Sequence, residues 1–575
     1  MNQTFSRRSF LRTLGAGGAL IAAGGITACA VPPSQPAAPA VAGATPRGAS
    51  SGFSPDIELN LRAAAGNAQI LPGKSTAVWG YQASLAKGDA SSLVTLKDSY
   101  LGPIIRAQKG QRVRINFKND LPAGHPSIVH WHGLNLPEDM DGHPRFAIQP
   151  GQSYVYEFEV IDRAGSYWFH PHPHEQTGVQ VYNGLAGMFL VSDPEEAAAG
   201  LPSGAYDIPL VIQDRAFDAD NQFVYLGGAG SMPANPGAPA GGMPGHNMPG
   251  MGGMMGGSAT PAPGSGMGMQ GMMDQMMGFL GTRILVNGKP DYSLSVATRA
   301  YRLRLLNGSN ARIYKLGWSD GGPVIVVGTD GGLLEKPVEK PYVMLAPGER
   351  VELWADFSRL KVGAEITLQS LKFEGVEDAG GMMGGMMSGG GPEQGAPMTL
   401  LKVRVEREEK ETLSLPRALS SITRLRAEQA VNAANPRQVG LTLNGMQWLI
   451  NNRVFEMDSV LPEETIKLGS TEIWEIVNKL NPGQMMDANG MAHPIHIHGG
   501  QFQVLSREVL PQLKAGWDSV REGRVDEGWK DTVLVMPGER VKLAMKFERY
   551  KGLYLYHCHN LEHESSGMMR NFRVA

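Results

Sequence analysis

Apolar and polar residues alternate along many short segments of this chain. In ERVKLAMKFE, which begins at Glu539, apolar side chains recur at every second position and charged residues fill most of the other face. RVRINFKN from Arg112 and YRLRLLNG from Tyr301 repeat the pattern. A period of two is typical of strands that are buried on one side. No long stretch has helical spacing, so we expect an all-β fold built from antiparallel β-sandwiches.

Three similar phrases divide the chain into related units. PGQSYVYEFEV (150–160), APGERVELWADF (346–357) and MPGERVKLAMKF (536–547) each join a Pro-Gly turn to an alternating strand, at a spacing of roughly 190 residues. Charged or proline-bearing stretches at 193–194 and 406–415 mark boundaries between the units. The predicted domains are therefore 53–195, 203–405 and 416–575.

The first residues form a targeting segment. SRRSFL, followed by a short apolar Gly/Ala run, resembles a twin-arginine export signal within residues 1–30. ITAC, which ends at Cys29, resembles a lipoprotein box, and cleavage after Ala30 is the alternative. Residues 31–52 are rich in alanine and proline and predict a tether. We expect a protein of the periplasm or cell envelope, exported by the twin-arginine machinery, whose only membrane attachment is a lipid on Cys29.

Charge and cysteine content narrow the function classes. The chain has 575 residues, with 52 lysines and arginines against 55 aspartates and glutamates. This balance provides no single-sign field for nucleic acid or an anionic membrane, so the expected partner is small. We also expect a monomer. With Cys29 acylated or removed, Cys558 has no partner for a disulfide.

Histidines recur in a pattern that points to metal. The fourteen histidines include five His-x-His pairs, found in HWH (130–132), HPHPH (170–174), HIH (496–498) and HCH (557–559). On a strand, both rings of such a pair point to the same side of the sheet. In HCH the cysteine then points to the opposite side, so one tripeptide can contact two metal sites.

The C-terminal segment contains most of the ligands of a blue-copper centre. A thiolate with two imidazoles and a weak thioether defines such a centre. Cys558, His563 and Met568 supply three of these groups, and His493 can supply the second imidazole. Eight motif histidines remain, enough to hold three coppers with positions left open for oxygen.

HWHG, WFHPH, HPIHIHG and HCHNLEHESSGMM together resemble the four copper signatures of the multicopper oxidase family. The resemblance extends from Phe53 to the C-terminus, and NGLAG, LRLLNGSNAR, DGGLLE and WKDTV are similar to its bacterial copper-efflux branch. It implies three cupredoxin-like Greek-key β-sandwiches and four copper ions. The implied ligands are His493, Cys558, His563 and Met568 for type 1 copper, His130 and His496 for type 2, and His132, His170, His172, His498, His557 and His559 for type 3.

The resemblance also implies a reaction. Single electrons would pass from a metal near the surface through Cys558 to a buried three-copper cluster, where four of them reduce O₂ to two waters. Asp141 and Glu564 match the family's carboxylates near the oxygen site and would relay protons. The remaining histidines are expected to be structural, and they are His125, His143, His174 and His246.

The positions of the methionines indicate which reducing substrate the protein oxidises. Two Met-rich inserts, a first at 231–278 and a second at 380–391, contain sixteen of the thirty methionines. Thioethers favour Cu(I), so we expect a cuprous oxidase that detoxifies copper. The family's copper-efflux members have such a segment in the third domain, whereas residues 424–438 here contain no methionine.

Met491 and Asp487 are candidates for a substrate Cu(I) site. A laccase-like oxidase of phenols or other metal ions, and a copper-sequestering protein, are the alternatives.

Overall fold

The computed structural model describes residues 47–226, 228–229, 269–375, 392–480 and 490–575. In this part of the chain, six β-sheets form three sandwiches, each with its own apolar core. The predicted all-β fold of three cupredoxin-like domains is confirmed. The export signal, Cys29, His246, Asp487, the second Met-rich insert and most of the first lie outside the described residues.

The first sandwich pairs a four-stranded sheet, β2-β1-β5-β7, with a five-stranded sheet, β3-β4-β9-β8-β6. Its strands are β1 (Ile57–Ala68), β2 (Thr76–Lys87), β3 (Leu93–Val94), β4 (Ile104–Gln108), β5 (Arg112–Asp120), β6 (Val129–His132), β7 (Ser153–Glu159), β8 (Gly165–Pro171) and β9 (Gly187–Ser192).

The second sandwich has the largest sheet, in which β12-β11-β10-β16-β21-β18-β19 form the main path and β13 and β14 extend it beside β10. The facing sheet has the order β15-β23-β22-β17-β20. The strands are β10 (Asp207–Phe217), β11 (Phe223–Tyr225), β12 (Gly228–Ala229), β13 (Arg283–Val286), β14 (Lys289–Pro290), β15 (Ser293–Ala297), β16 (Ala300–Asn307), β17 (Tyr314–Trp318), β18 (Val324–Thr329), β19 (Gly332–Lys340), β20 (Val343–Leu345), β21 (Arg350–Asp356), β22 (Glu365–Ser370) and β23 (Met398–Arg407).

The third sandwich pairs β25-β24-β27-β31-β29 with β26-β33-β32-β28-β30. Its strands are β24 (Arg437–Asn444), β25 (Gln447–Ile450), β26 (Thr465–Ile466), β27 (Thr471–Asn478), β28 (His493–Ile497), β29 (Phe502–Val509), β30 (Thr532–Val535), β31 (Glu539–Lys546), β32 (Gly552–Cys558) and β33 (Met569–Val574).

Helices are short throughout the described residues. The α-helices are α1 (Thr177–Tyr182), α2 (Pro194–Ala198), α3 (Met269–Met277), α4 (Lys514–Asp518) and α5 (Leu561–Ser565). Single 3₁₀ turns occupy Ala90–Ser92, Pro144–Phe146, Gly204–Tyr206, Ala427–Gln429, Pro462–Glu464, Pro511–Leu513 and Arg521–Gly523. No helix in the described ranges is long and apolar enough to cross a membrane.

The expectation of purely antiparallel sheets is wrong in one respect. Each sheet contains one parallel pair, which in chain order are β1/β5, β4/β9, β10/β16, β15/β23, β24/β27 and β26/β33. A parallel pair requires a connection that crosses over to the other sheet of the sandwich. Period-two alternation identifies strands but carries no information about their direction.

The alternation in YRLRLLNG predicts a strand that is buried on one side, but both faces of β16 are buried. Arg302 and Arg304 on its polar face bind the carboxylate of Glu352. The hydroxyl of Ser166, in the first domain, donates a hydrogen bond to the same carboxylate at 2.6 Å. Charged residues on a strand therefore pack here into a domain interface, where their charges are paired.

A buried carboxylate of the first domain gives the fold a pH dependence. Asp162 accepts hydrogen bonds from the backbone N–H of Asn135 at 3.1 and 3.2 Å. Burial raises the pKa of Asp162 from 3.8 to about 7. The folded chain then binds more protons than the unfolded chain between these values, so stability from this group is lost as pH rises through that window.

We expect Asp162→Asn to remove this dependence, because asparagine keeps an acceptor for Asn135 but does not ionise. At about 1.4 kcal/mol per pKa unit, the variant gains a few kcal/mol over the parent on going from acid to neutral pH. Thermal unfolding of the copper-free protein at pH 5 and pH 8 measures the difference. A difference between variant and parent that stays the same at both pH values contradicts the prediction.

Candidate metal centres

Strand register gathers eight histidines between the first and third domains. On the first domain, His130 of β6 lies opposite His170 of β8. On the third, His496 of β28 lies opposite His557 of β32. The other four stand at strand ends or within two residues of them, at His132, His172, His498 and His559.

The two groups of rings meet face to face. The ring centroids of His130 and His498 are 3.8 Å apart, and those of His132 and His496 are 3.7 Å apart. All eight rings are at most 1% exposed. The histidine motifs from the two ends of the chain thus form one buried cluster.

Two of these residues, His130 and His496, form what we call the histidine pair. Their Nε2 atoms lie 3.2 Å apart. On the far side of each ring, Nδ1–H donates to a backbone carbonyl, of Asp141 at 2.6 Å and of Asp531 at 2.8 Å. These bonds fix the tautomer and leave both Nε2 atoms without a proton.

The remaining six divide into two triads. In the first triad, Nε2 of His557 lies 3.3 Å from Nε2 of His172 and 3.1 Å from Nε2 of His498. The second triad is His132, His170 and His559, whose ring centroids are 5.0 to 5.7 Å apart. The unpartnered ring nitrogens of this triad are Nδ1 of His132, Nε2 of His170 and both nitrogens of His559.

This arrangement fits bound metal ions. Burial lowers the pKa of His130, His498 and His557 well below the usual value, and the neighbouring histidines lower it further for each ring. Bare ring nitrogens of neutral imidazoles then face one another at 3.1 to 3.3 Å. Neighbouring lone pairs need a cation between them, and imidazole nitrogen is a good ligand for copper.

Asp141 connects the histidine pair to the first triad. Its carbonyl accepts from His130, as described, and its carboxylate Oδ2 accepts from Nδ1–H of His498 at 2.7 Å. Burial raises the pKa of Asp141 well above its ordinary value. Gly142 has a φ of +91° and packs so closely that a Cβ there would lie 2.6 Å from Cα of His130. Glycine at 142 therefore permits the turn that brings Asp141 to the rings.

Glu564 lies against the first triad from α5. Its two carboxylate oxygens are 3.5 Å from Nε2 of His172 and 3.3 Å from Nδ1 of His557. Burial raises the pKa of Glu564 to about 8, and the hydroxyl of Thr177 opposes this shift. Both predicted carboxylates are therefore buried beside the histidines, with a raised affinity for a proton.

Sequence reasoning did not assign a role to Asp531, although WKDTV contains it. Its Oδ1 lies 3.0 Å from Nε2 of His132, and Arg350 of the second domain donates to the same oxygen at 2.8 Å. Burial favours protonation, but the charge of Arg350 and the hydrogen bonds from Arg350 and His132 hold the pKa of Asp531 well below its usual range. Asp531 thus orients His132 so that Nδ1 points into the second triad.

The second domain supplies a turn as well as an arginine. Gly348, in APGER, has a φ of +83°, and a Cβ built there would lie 2.9 Å from the ring of His559. The left-handed backbone suits glycine, and the absence of a side chain lets the turn cover that ring. The described residues of the second domain thus close the cluster without contributing a histidine to it.

The thiol site, comprising His493, Cys558, His563 and Met568, lies in the third domain. Sγ of Cys558 is 3.5 Å from Nδ1 of His493 and 3.5 Å from Nδ1 of His563. The backbone N–H of Met568 donates to the carbonyl of His563, and Cys558 N–H donates to the carbonyl of Met568. All four residues are buried. Burial raises the pKa of the Cys558 thiol, so a metal must displace its proton on binding.

The expected surface position of this site is wrong, because α3 of the first Met-rich insert covers it. Nε2–H of His563 and Nε1–H of Trp448 both donate to the carbonyl of Met276, each at 2.9 Å. Met276 is buried, whereas Met272 in the same helix is exposed. The insert belongs to the second domain in sequence, yet its helix packs on a residue of the third.

The remaining candidates have different surroundings, and Met491 shares an apolar cluster with Cys558 and Met568. Met491 is buried in the core of the third domain, and its carbonyl accepts from the side chain of Asn478 at 2.6 Å. Among the histidines expected to be structural, His125 bonds Gln176 and His143 bonds Asn571. His174 lies beside Glu175 and Phe455.

Comparison with known proteins gives matches along most of the chain. Residues 78–196 and 422–575 match family models described as multicopper oxidase. A laccase of Bacillus subtilis (strain 168) is 30% identical over 514 residues, which cover 82% of this chain and 87% of the relative.

Solved structures agree with these matches. The McoA multicopper oxidase of Aquifex aeolicus has a TM-score of 0.69 and 31% identity, covering 91% of this chain and 97% of that one. A multicopper oxidase of Campylobacter jejuni, described as a metallo-oxidase, has a TM-score of 0.64 and 26% identity, covering 90% and 91% of the two chains.

Proposed function

Because this chain belongs to the multicopper oxidase family and is an oxidoreductase that uses O₂ and a reducing substrate, we propose that its substrate is Cu(I). Four one-electron oxidations of Cu(I) to Cu(II) would reduce one O₂ to two waters. The product is the less toxic ion, so the role is copper detoxification. The observation that carries the proposal is the contact between the Met-rich helix α3 and His563.

Members of the family contain copper, and four ions match the side chains described above. The histidine pair would hold one ion, each triad one, and the thiol site one. Bound copper would supply one-electron redox chemistry and the place where O₂ reacts. The chain's own residues keep the ring nitrogens deprotonated and aimed inward, and they exclude bulk water from the buried cluster.

Two carboxylates support the delivery of protons that water formation requires. Asp141 Oδ2 and the Glu564 oxygens lie within 3.5 Å of histidines in the first triad. Burial makes each group hold a proton more tightly than an exposed carboxylate would. We assign them as proton carriers between solvent and the oxygen site.

The cover over His563 favours a small donor. A ring nitrogen that is bonded to the Met276 carbonyl does not offer its edge to a bulky phenol. Thioethers in α3 are soft ligands that prefer Cu(I) over Cu(II), so they can deliver one form and release the other. Met272, Met273, Met276 and Met277 are four of the five methionines of this helix, and Met277 is its last residue.

A laccase-like oxidation of phenols is the second candidate, and the similarity to the laccase of Bacillus subtilis favours it. The two candidates differ in what they require of the insert. A phenol oxidase has no need of thioethers in α3, whereas a cuprous oxidase does.

We also propose that the protein works in the periplasm or cell envelope after export by the twin-arginine route. SRRSFL supports this location, and the ITAC sequence that ends at Cys29 supports a lipid anchor. Palmitate labelling of the wild-type protein and of Cys29→Ala in cells tests the anchor.

Four Met→Leu substitutions in α3 test the substrate. Leucine keeps the volume and helix propensity of residues 272, 273, 276 and 277 and the carbonyl of residue 276, but removes the thioethers. We expect kcat/KM for Cu(I) to fall by about 10-fold or more, as when a metal loses supporting ligands, and kcat/KM for a phenol to stay unchanged.

The matched control replaces the four methionines of the second Met-rich insert, at 382, 383, 386 and 387, with leucine. It should leave Cu(I) turnover close to wild type. Rapid phenol oxidation with almost no Cu(I) oxidation by the wild-type enzyme would instead support the laccase function. Loss of copper protection in cells with unaltered oxygen uptake on Cu(I) would support sequestration.

A further inference from the structure

Helix α5, which contains His563, lies where all three domains meet. Ser565 Oγ accepts from the backbone N–H of Gly178 in the first domain at 3.0 Å. Leu561 N–H donates to the carbonyl of Asn310 in the second domain at 3.0 Å. Between these contacts Glu562 is buried, and the reaction described above does not use it.

The carboxylate of Glu562 binds both ends of the first Met-rich insert. Oε1 accepts from the hydroxyl of Tyr225 at 2.7 Å, and Tyr225 lies shortly before the insert. Oε2 accepts from the backbone N–H of Phe279 at 3.1 Å, and Phe279 directly follows the insert. Asn310 donates a third hydrogen bond, to Oε1 at 2.8 Å. One side chain thus closes the base of an insert of nearly fifty residues.

The same residue is covalently next to the thiol site. Glu562 precedes His563 in α5, and Met276, whose carbonyl accepts from His563, lies three residues before Phe279. The hydrogen bond to Phe279 therefore fixes the backbone that carries the carbonyl. Gly278, between them, packs against Asn560 so tightly that a Cβ would lie 2.5 Å from the amide nitrogen.

We propose that Glu562 is a positioning residue that holds the two ends of the first Met-rich insert against α5, and so keeps the Met276 carbonyl on Nε2 of His563. In this position α3, the described part of the insert, covers the thiol site. The inference deepens the proposed function, because it names the side chain that couples the Met-rich segment to the site where electrons enter.

Energetics support a positioning role. Glu562 accepts from three neutral donors inside the protein. If the carboxylate were removed, the Tyr225 hydroxyl and the Phe279 N–H would be left buried without an acceptor, whereas the Asn310 amide would keep its bond to the carbonyl of Gly178. Keeping the two ends of the insert packed against α5 would then cost the desolvation free energy of the unpaired donors. The ends of the insert would open more often, while the three sandwich cores, which include neither Tyr225 nor Phe279, would stay intact.

Three variants separate this role from general stability. Glu562→Ala removes all three hydrogen bonds, and Tyr225→Phe removes only the contact to the upstream end. Ser565→Ala is the matched control, because it removes a hydrogen bond of the same helix to the first domain and leaves the insert untouched. Tyr225→Phe decides the question if Glu562→Ala does not fold.

The first measurement is amide hydrogen exchange of the copper-free protein, followed by mass spectrometry. We expect exchange at residues 276–280 to accelerate by roughly 10-fold or more in Glu562→Ala and by less in Tyr225→Phe, as for a segment that has lost its anchoring bonds. Strands β27 and β31, in the opposite sheet of the third domain, should exchange as in the wild type, and Ser565→Ala should not alter residues 276–280.

The second measurement uses the copper-loaded protein. The visible absorption band of the thiolate–copper centre should change position or width in Glu562→Ala, because His563 loses a fixed partner. The ratio of kcat/KM for 2,6-dimethoxyphenol to kcat/KM for Cu(I) should rise about 3-fold to 10-fold as the cover loosens.

Unaltered exchange at 276–280 with an unaltered band would overturn the proposal, as would equal effects from Ser565→Ala. The proposed function fails separately, when the wild-type enzyme oxidises the phenol rapidly and Cu(I) barely at all. The exchange and absorption measurements still decide the role of Glu562 in that case, since neither depends on the donor.

Discussion

Cys558→Ser should abolish the visible absorption band of the copper-loaded protein and reduce O₂ consumption to background with every donor. Sγ of Cys558 lies 3.5 Å from Nδ1 of both His493 and His563. A serine hydroxyl does not replace a thiolate in a blue-copper site. The same residue is also the covalent link to His557 and His559, which belong to the two triads.

The loss of O₂ consumption in Cys558→Ser should exceed the roughly 10-fold to 100-fold reduction that follows when a residue hydrogen-bonded to a metal ligand is removed. The variant should still fold, because serine is slightly smaller than cysteine and the backbone bond to Met568 remains. Met569→Leu is the control, since it alters a neighbouring buried methionine outside the ligand set. A serine variant that keeps both colour and oxygen consumption would refute the assigned thiol site.

Glu564→Gln should slow oxygen reduction by about 100-fold or more, the scale of a lost general acid or base. Glutamine keeps the shape of the side chain beside His172 and His557 but does not release or accept a proton at neutral pH. The thiol site lies on the other face of β32, so its reduction by a donor should be unaffected.

Stopped-flow absorption separates the two halves of the reaction. Under anaerobic conditions the visible band of the glutamine variant should bleach as fast as that of the wild type. When O₂ is added, the band should return more slowly. Equal rates of return in the two proteins would show that Glu564 carries no proton in the rate-determining step.

The histidine motifs predicted which histidines come together in the buried groups, because their signal is local. Period two places both rings of HWH or HIH on one face of a strand, and strand register then aligns His130 with His170 and His496 with His557. The division of the six type 3 candidates into two triads is not local. It depends on how sheets of different domains face one another, which no spacing within a motif specifies.

The residues that sequence reasoning missed act across domains. Arg350 and Asp531 are 181 positions apart, and Glu562 and Tyr225 are 337 apart. Each of these side chains, taken alone, is an ordinary charged or aromatic residue of a strand, of a short helix or, for Asp531, of the bend before β30. Only the docking of the second domain against the third makes Asp531 an orienting group and Glu562 an anchor.

The burial of the thiol site has the same origin. In the sequence, the first Met-rich insert interrupts the second domain and has no visible relation to His563. In the fold, β11 and the segment around Phe279 reach α5, and α3 lies over the ligand. The placement of an insert in a chain therefore says little about which domain it covers.

The separation of the histidine motifs along the chain has a consequence for biogenesis. His130 and His496 are 366 residues apart, and no ribosome-bound chain that lacks the last eighty residues can complete either triad. Metal loading must then follow synthesis and docking of the C-terminal sandwich. Ions held by histidines of both terminal sandwiches would link the two ends of the polypeptide, and removing them should separate the melting of the two sandwiches before it weakens either one.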